Sequence, residues 1–342
     1  RSFGTNIGAA IGVSLYLSQA ISVAFYMIAF AQSFTPLYPW IRETLGFEPD
    51  PRMLSLPVSL GLAVLVFKKG ASMGVLLLYS VVAILFVSLA AFFAGGSWDF
   101  GNLANASEPV KNNYSWTFVF AVCFPAFTGM TAGVGLSGDL ANPRRSIPLG
   151  TMIATLIGLV IYTLTVLKLG INGTPDQLAS DELYMRQIAA WGWIIPFGLA
   201  AATLSSAIGS LLIAPRTMQA LAGDHIFPWK RLNGIFSRGV GPAHEPLNGT
   251  ILTMVIAIVF MAIGDVNMVA SIVSQFFLVT YGAICLISVL EHFAANPSYR
   301  PSFRSRWWLS LTDAVGCIII MVITAFLATA FALVFMTVIY VS

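Results

Sequence analysis

WTFVFAVCFPAFTGMTAGVGLSGDLANPRRSIPLG, residues 116–150, decides how this chain is read. It opens as an apolar run of membrane-spanning character. Pro125, Gly129, Gly133, Gly135 and Gly138 then interrupt it, and no charge occurs before Asp139. Proline lacks an N–H and clashes with the preceding turn, and glycine loses the most conformational entropy on ordering. Together they break a helical ladder in mid-span. Backbone groups freed at that depth persist only where they face protein or line a cavity. A broken membrane helix is the usual sequence pointer to an ion or substrate site in a secondary transporter.

The rest of the chain fits a membrane setting. Apolar residues make up 58% and charged residues 9% of 342, against about 25% charged in a soluble domain. Mean hydropathy is +0.85. Apolar runs recur from end to end, so the reading is one polytopic all-α domain, with the lipid bilayer as a partner and no nucleic acid. The runs give about ten candidate helices, at roughly 7–33, 53–67, 71–94, 117–138, 146–168, 192–222, 247–264, 267–291, 307–322 and 324–341. With the N-terminus in the cytoplasm, twelve Lys and Arg fall on the cytoplasmic side and five on the other, a positive-inside bias. The outer side then carries sequons at Asn105, Asn113 and Asn172. Residue 1 is Arg, so an N-terminal segment is expected to be lost or left out.

Several motifs have ordinary readings. Gly133, Gly135 and Gly138 fit a dinucleotide fingerprint, but they end an apolar run instead of following a strand. Glycines at 4, 8 and 12 have the spacing of close helix packing. The cysteines Cys123, Cys285 and Cys317 lie in apolar segments and read as small buried hydrophobes. His225, His244 and His292 are far apart and form no metal motif. No cofactor is implied, and no motif of an enzyme is found.

Two intramembrane polar groups stand out. Thr203-Leu204-Ser205-Ser206 lies within 192–222, and Tyr26 within 7–33. Hydroxyls in a membrane helix ordinarily bond the carbonyl one turn back or a neighbouring helix. The functional alternative is a hard cation, which takes oxygen ligands. Amides exposed at a helix break suit an anion. No Asp, Glu, Lys, Arg or His occurs in 7–33, 115–138, 146–167 or 192–215. A proton relay ordinarily needs such a group, so neutral oxygens and amides point to simple ions carried with counter-ions.

At these residues the chain resembles the cation-chloride cotransporters of the amino acid–polyamine–organocation superfamily. FPAFTGMTAG with SGDL and IPLGT looks like that family's broken sixth helix and the start of its seventh. LSSAIGSLLIAPRTMQALAGDHIFP (204–228), SQFFLVTYGAICL (274–286) and NPSYRPSF (296–303) resemble its eighth helix, its tenth and the linker beyond. The resemblance implies a LeuT-like inverted-repeat fold lacking its first two helices. Residues 1–116 would be the remnant of the first repeat, 117–291 the second five-helix repeat, and 292–342 two C-terminal helices. It implies symport of chloride with sodium, potassium or both, in a plasma or bacterial inner membrane, and it allows a homodimer.

The implied potassium ligands are Tyr26, Pro125 and Thr128. The implied sodium ligands are the Ala202 carbonyl and the hydroxyls of Ser205 and Ser206. The implied chloride ligands are the amides of Gly129, Met130 and Thr131 with the hydroxyl of Tyr281. Tyr26 and the paired serines together look most like the sodium-potassium-chloride branch. The chain begins where the family's third helix begins, so a fragment or a reduced variant that does not transport alone is expected. An amino-acid permease of the same superfamily and a non-transporting membrane subunit are the alternatives. The permease should carry an acid in the broken helix, and Gly129-Met130-Thr131 has none.

Overall fold

Proline, aspartate and glycine set the helix boundaries. Residues 5–102, 115–131, 140–241, 244–294 and 306–324 are described by the computed structural model of the chain. In order, the helices are α1 Thr5–Gln32, α2 Tyr38–Leu45, α3 Pro51–Ala94, α4 Trp116–Cys123, α5 Pro143–Asn172, α6 Pro175–Ser180, α7 Met185–Ile188, α8 Ile194–Gly223, α9 Lys230–Phe236, α10 Leu247–Ile263, α11 Val266–Ala294 and α12 Trp307–Thr324. Among the described residues, strand pairing is limited to one isolated bridge, Val240–Glu245. Among these residues five spans are long and apolar enough to cross a membrane, and shorter apolar stretches lie in α3, α4 and α10.

Local chemistry explains the ends. Pro51 opens α3 after Asp50, whose carboxylate accepts from the Arg52 amide at 2.7 Å. Gly264, at φ +78, closes α10 in the left-handed conformation. One residue later Asp265 accepts from the amides of Asn267 and Met268 and starts α11. These are the N-cap and C′ devices that satisfy helix-end groups.

The chain forms two compact units. One comprises Arg1–Phe25, Ser115–Leu136 and Ser210–Ser342, and the other Tyr26–Tyr114 and Ser137–Gly209. In the first, Tyr16 and Ala20 of α1 pack with Ala214, Met218 and Leu221 of α8. A Cβ on Gly12 would lie 2.5 Å from Leu221 Cδ2, so Gly12 has the close-packing role its spacing suggests. Leu278 and Val279 of α11 meet Met321 of α12, with Phe124 beside them.

In the second unit, Phe92, Ile188 and Ile195 form the core, with Leu169 and Tyr184 around it. Most of the apolar side chains of α5 are exposed, among them Leu156, Leu159, Val160 and Val166. That is the surface expected of a helix facing lipid.

One expectation needs correction. The boundary between 53–67 and 71–94 is absent, because the backbone of α3 is helical for 44 residues through Lys68, Lys69 and Gly70. That rod is about 66 Å long at 1.5 Å per residue. Lysine is a good helix former, and one glycine costs only about 1 kcal/mol, so nothing at 68–70 stops propagation. The chain reversal that the charge partition places there does not occur.

The sequon at Asn172 is engaged. Its Oδ1 accepts from the Ser97 amide at 2.6 Å, and its Nδ2 donates to the carbonyls of Ser97 and Lys168, each at 2.9 Å. A glycan on Nδ2 would cost those bonds. Asn105, Asn113, Gly133, Gly135, Gly138 and the 324–341 helix beyond Thr324 lie outside the described residues.

Candidate functional site

The interruption expected near Thr128–Met130 is present in the backbone. α4 ends at Cys123, and Phe124–Phe127 form a single 3-10 turn with Pro125 near its start. Thr128 is extended, at φ −88 and ψ 177, and Gly129 has φ +109. Only glycine adopts that conformation without strain. Pro125 is buried, and its carbonyl accepts from both the amide and the hydroxyl of Thr128, at 3.2 and 2.7 Å.

α11 fixes the break from the side. Ser274 Oγ lies 2.6 Å from Ala121 O and 2.8 Å from Ala270 O, so one hydroxyl proton serves both helices. Two turns further along α11, the Gly129 amide donates to Tyr281 Oη at 3.3 Å. The Tyr281 ring stacks on Phe277, with centroids 5.7 Å apart, which fixes its direction. Four of the anticipated residues therefore converge: Gly129, Met130 and Thr131 follow one another, and Tyr281 meets the first. Gly129 and Met130 are exposed and Thr131 is buried. Here the Gly129 amide gives its proton to the Tyr281 oxygen; backbone amides and a phenolic hydroxyl are neutral donor groups, the chemistry an anion needs.

Ala202, Ser205 and Ser206 sit within one turn of the unbroken α8. Ser206 Oγ donates to Ala202 O at 3.1 Å, and Ser205 is half-buried with no hydrogen bond among the described residues. Thr203 Oγ1 lies 2.9 Å from Leu199 O and 3.1 Å from Ala200 O. The hydroxyls of Thr203 and Ser206 thus make the ordinary bond to the preceding turn, while their lone pairs remain. Tyr26 lies on α1 in the second unit and is half-buried, and Pro125 and Thr128 belong to the first.

The sequence reading passed over one buried amide. Gln19, 3% exposed, donates through Nε2 to Thr131 Oγ1 at 3.4 Å and accepts through Oε1 from Ser210 Oγ at 3.0 Å. The available signal was the polar stripe Ser14, Ser18 and Ser22 at four-residue spacing beside it, which places several polar groups near one face of an otherwise apolar helix.

Known proteins give a consistent comparison. Residues 1–342 match the family model described as amino acid permease. The chain is 31% identical over 377 residues to solute carrier family 12 member 2 of Mus musculus, covering 94% of this chain and 31% of that protein. It is 31% identical over 381 residues to solute carrier family 12 member 1 of Homo sapiens, covering 94% and 34%. Against member 2 of Danio rerio the identity is 30%, covering 94% and 33%. The chain spans about a third of the length of the curated relatives it matches. The match and the apolar helices together make it an integral, multi-pass membrane protein that resembles the cation-chloride cotransporters.

Proposed function

The chain belongs to the amino acid permease family, and from that premise we propose a carrier, not an enzyme, that moves chloride with sodium, potassium or both by alternating access. Residues 117–291 form its second five-helix repeat on this reading, and no cofactor takes part. The pairing of the Gly129 amide with the Tyr281 hydroxyl carries the proposal. It joins a glycine that the backbone break requires to a side chain 152 residues later. The amides of Gly129, Met130 and Thr131 and the Tyr281 hydroxyl hold chloride.

Ala202 O and the hydroxyls of Ser205 and Ser206 hold sodium. Ala202 O and Ser206 Oγ are 3.1 Å apart, close enough for both oxygens to contact one cation. The potassium ligands Tyr26, Pro125 and Thr128 rest on the resemblance.

The test is uptake of labelled rubidium into proteoliposomes holding the intact transporter. Uptake is expected to require chloride and to rise with sodium. Chloride-independent uptake would end the proposal. A second reading, amino-acid transport, is favoured by the description of the matching family model. Labelled amino acids in the same vesicles separate the two, since a permease accumulates them without chloride.

A further inference from the structure

Gln19 is used differently from its neighbours Ser18 and Ser22 on α1. Ser18 and Ser22 return their hydroxyls to Leu15 O and Ser18 O, at 2.8 and 2.7 Å, the local bond that such residues make in apolar helices. Gln19 has no such local bond. Its amide links the residue just past the helix break to α8. The residues at the two ends are also buried: Thr131 is 8% exposed and Ser210 5%. Gln19, Thr131, Ser210, Gly129 and Tyr281 all belong to one compact unit.

The direction of these bonds has a consequence. A hydroxyl carries one proton and two acceptor lone pairs. At Thr131 the Gln19 amide donates into a lone pair, and the Thr131 hydroxyl has no other bond among the described residues. Among the described residues, then, no acceptor takes the proton of Thr131. In this arrangement the proton of Ser210 goes to Gln19 Oε1, and Nε2 faces Thr131. A carboxylate in place of the amide would take the proton of Thr131 instead.

We propose that Gln19 is a positioning residue for the anion. It holds Thr131 Oγ1 as an acceptor, so that the Thr131 hydroxyl proton donates to an anion bound at the amides of 129–131. This rests on the chloride reading above and adds to it a side-chain donor and the residue that orients it.

The experiment is a chloride titration of rubidium uptake in proteoliposomes of the intact transporter, with half-saturation and maximal rate read separately. Thr131→Val is expected to raise half-saturating chloride about tenfold, the low end for a lost hydrogen bond to a charged group. Thr131→Ser should restore most of that loss. Gln19→Leu should raise half-saturation by a smaller factor, and Gln19→Glu by more than Gln19→Leu. Gln19→Leu combined with Thr131→Val should be no worse than Thr131→Val alone.

A lower maximal rate at unchanged half-saturation in both Gln19 variants would make Gln19 a packing residue and overturn the proposal. If the Gln19 variants do not fold, the Thr131→Val and Thr131→Ser pair decides, and equal half-saturation in those two overturns it. Tyr281→Phe is run alongside. An unchanged chloride dependence there removes the anion seat itself, whereas a shift in Tyr281→Phe alone removes only the role of Gln19 and Thr131.

Discussion

At α4 the backbone leaves the helix after Cys123, and the Gly129 amide is given to a side chain on α11. At α8 the backbone stays helical for 30 residues, and the hydroxyls of Thr203 and Ser206 turn back to carbonyls of their own helix. Both stretches were marked in the sequence by polar or helix-breaking residues within an apolar run. They solve the same problem in opposite ways. The first frees backbone donors and supports them from outside; the second keeps its ladder and keeps its side chains local. An exposed amide is a donor to an anion. A hydroxyl whose proton is already placed presents its lone pairs, which suits a cation.

The strongest way to break this contrast is the double change Ser205→Ala with Ser206→Ala. Two of the proposed oxygen ligands disappear while the helix, which favours alanine, is kept. Sodium dependence of rubidium uptake in the intact transporter should vanish, an effect of more than about a hundredfold if each ligand is worth about 1.5–3 kcal/mol. Undiminished stimulation by sodium would assign both serines to the helix alone, and α8 would then hold no cation.

Tyr281→Phe tests the other side. It keeps the ring and its stacking on Phe277 and deletes the hydroxyl that faces the Gly129 amide. Half-saturating chloride should rise about ten- to a hundredfold, with the sodium dependence at fixed saturating chloride retained. A shift in sodium and none in chloride would reverse the assignment of the two regions.

Gly129→Ala sharpens the same side without removing any polar atom. Its Cβ would meet nothing within 4 Å, but φ is +109. The cost is therefore conformational, of order 1–3 kcal/mol for a residue held where L side chains rarely go. Chloride affinity should fall about tenfold as the amide is re-aimed. An unaltered titration would show that the left-handed glycine is not what directs the donor.

The break at Thr128–Met130 was legible because proline and glycine act on the backbone directly, whatever surrounds them. The meeting of Gly129 with Tyr281 was not legible from pattern, and it entered through family resemblance, because no local rule links residues so far apart. The continuity of α3 was misread at Lys68-Lys69-Gly70, where charge suggested a loop but helix propensity is adequate. Gln19 was missed for a related reason. An amide in a membrane helix looks like helix-packing glue, and its value depends on which hydroxyls the fold brings to each end. Side-chain networks of that kind are decided by tertiary packing, which periodicity does not encode.

The smallest effect is expected at Thr203, whose hydroxyl is 2.9 Å from Leu199 O and 3.1 Å from Ala200 O. Thr203→Val has nearly the same shape and deletes only this donor. Both carbonyls lie within α8 and retain their place in its backbone ladder, so neither is orphaned by the loss. The residue is 8% exposed, and the change puts a methyl where the hydroxyl was. The expected change in sodium half-saturation is less than about threefold, within the modest net worth of one neutral hydrogen bond. Measured beside the Ser205→Ala and Ser206→Ala pair, Thr203→Val separates hydroxyls that serve the helix from hydroxyls that serve an ion. A loss of sodium dependence at Thr203→Val as large as in the double serine variant would mean that Thr203, back-bonded like Ser206, is a ligand too, and the sodium site proposed on α8 would have to extend to it.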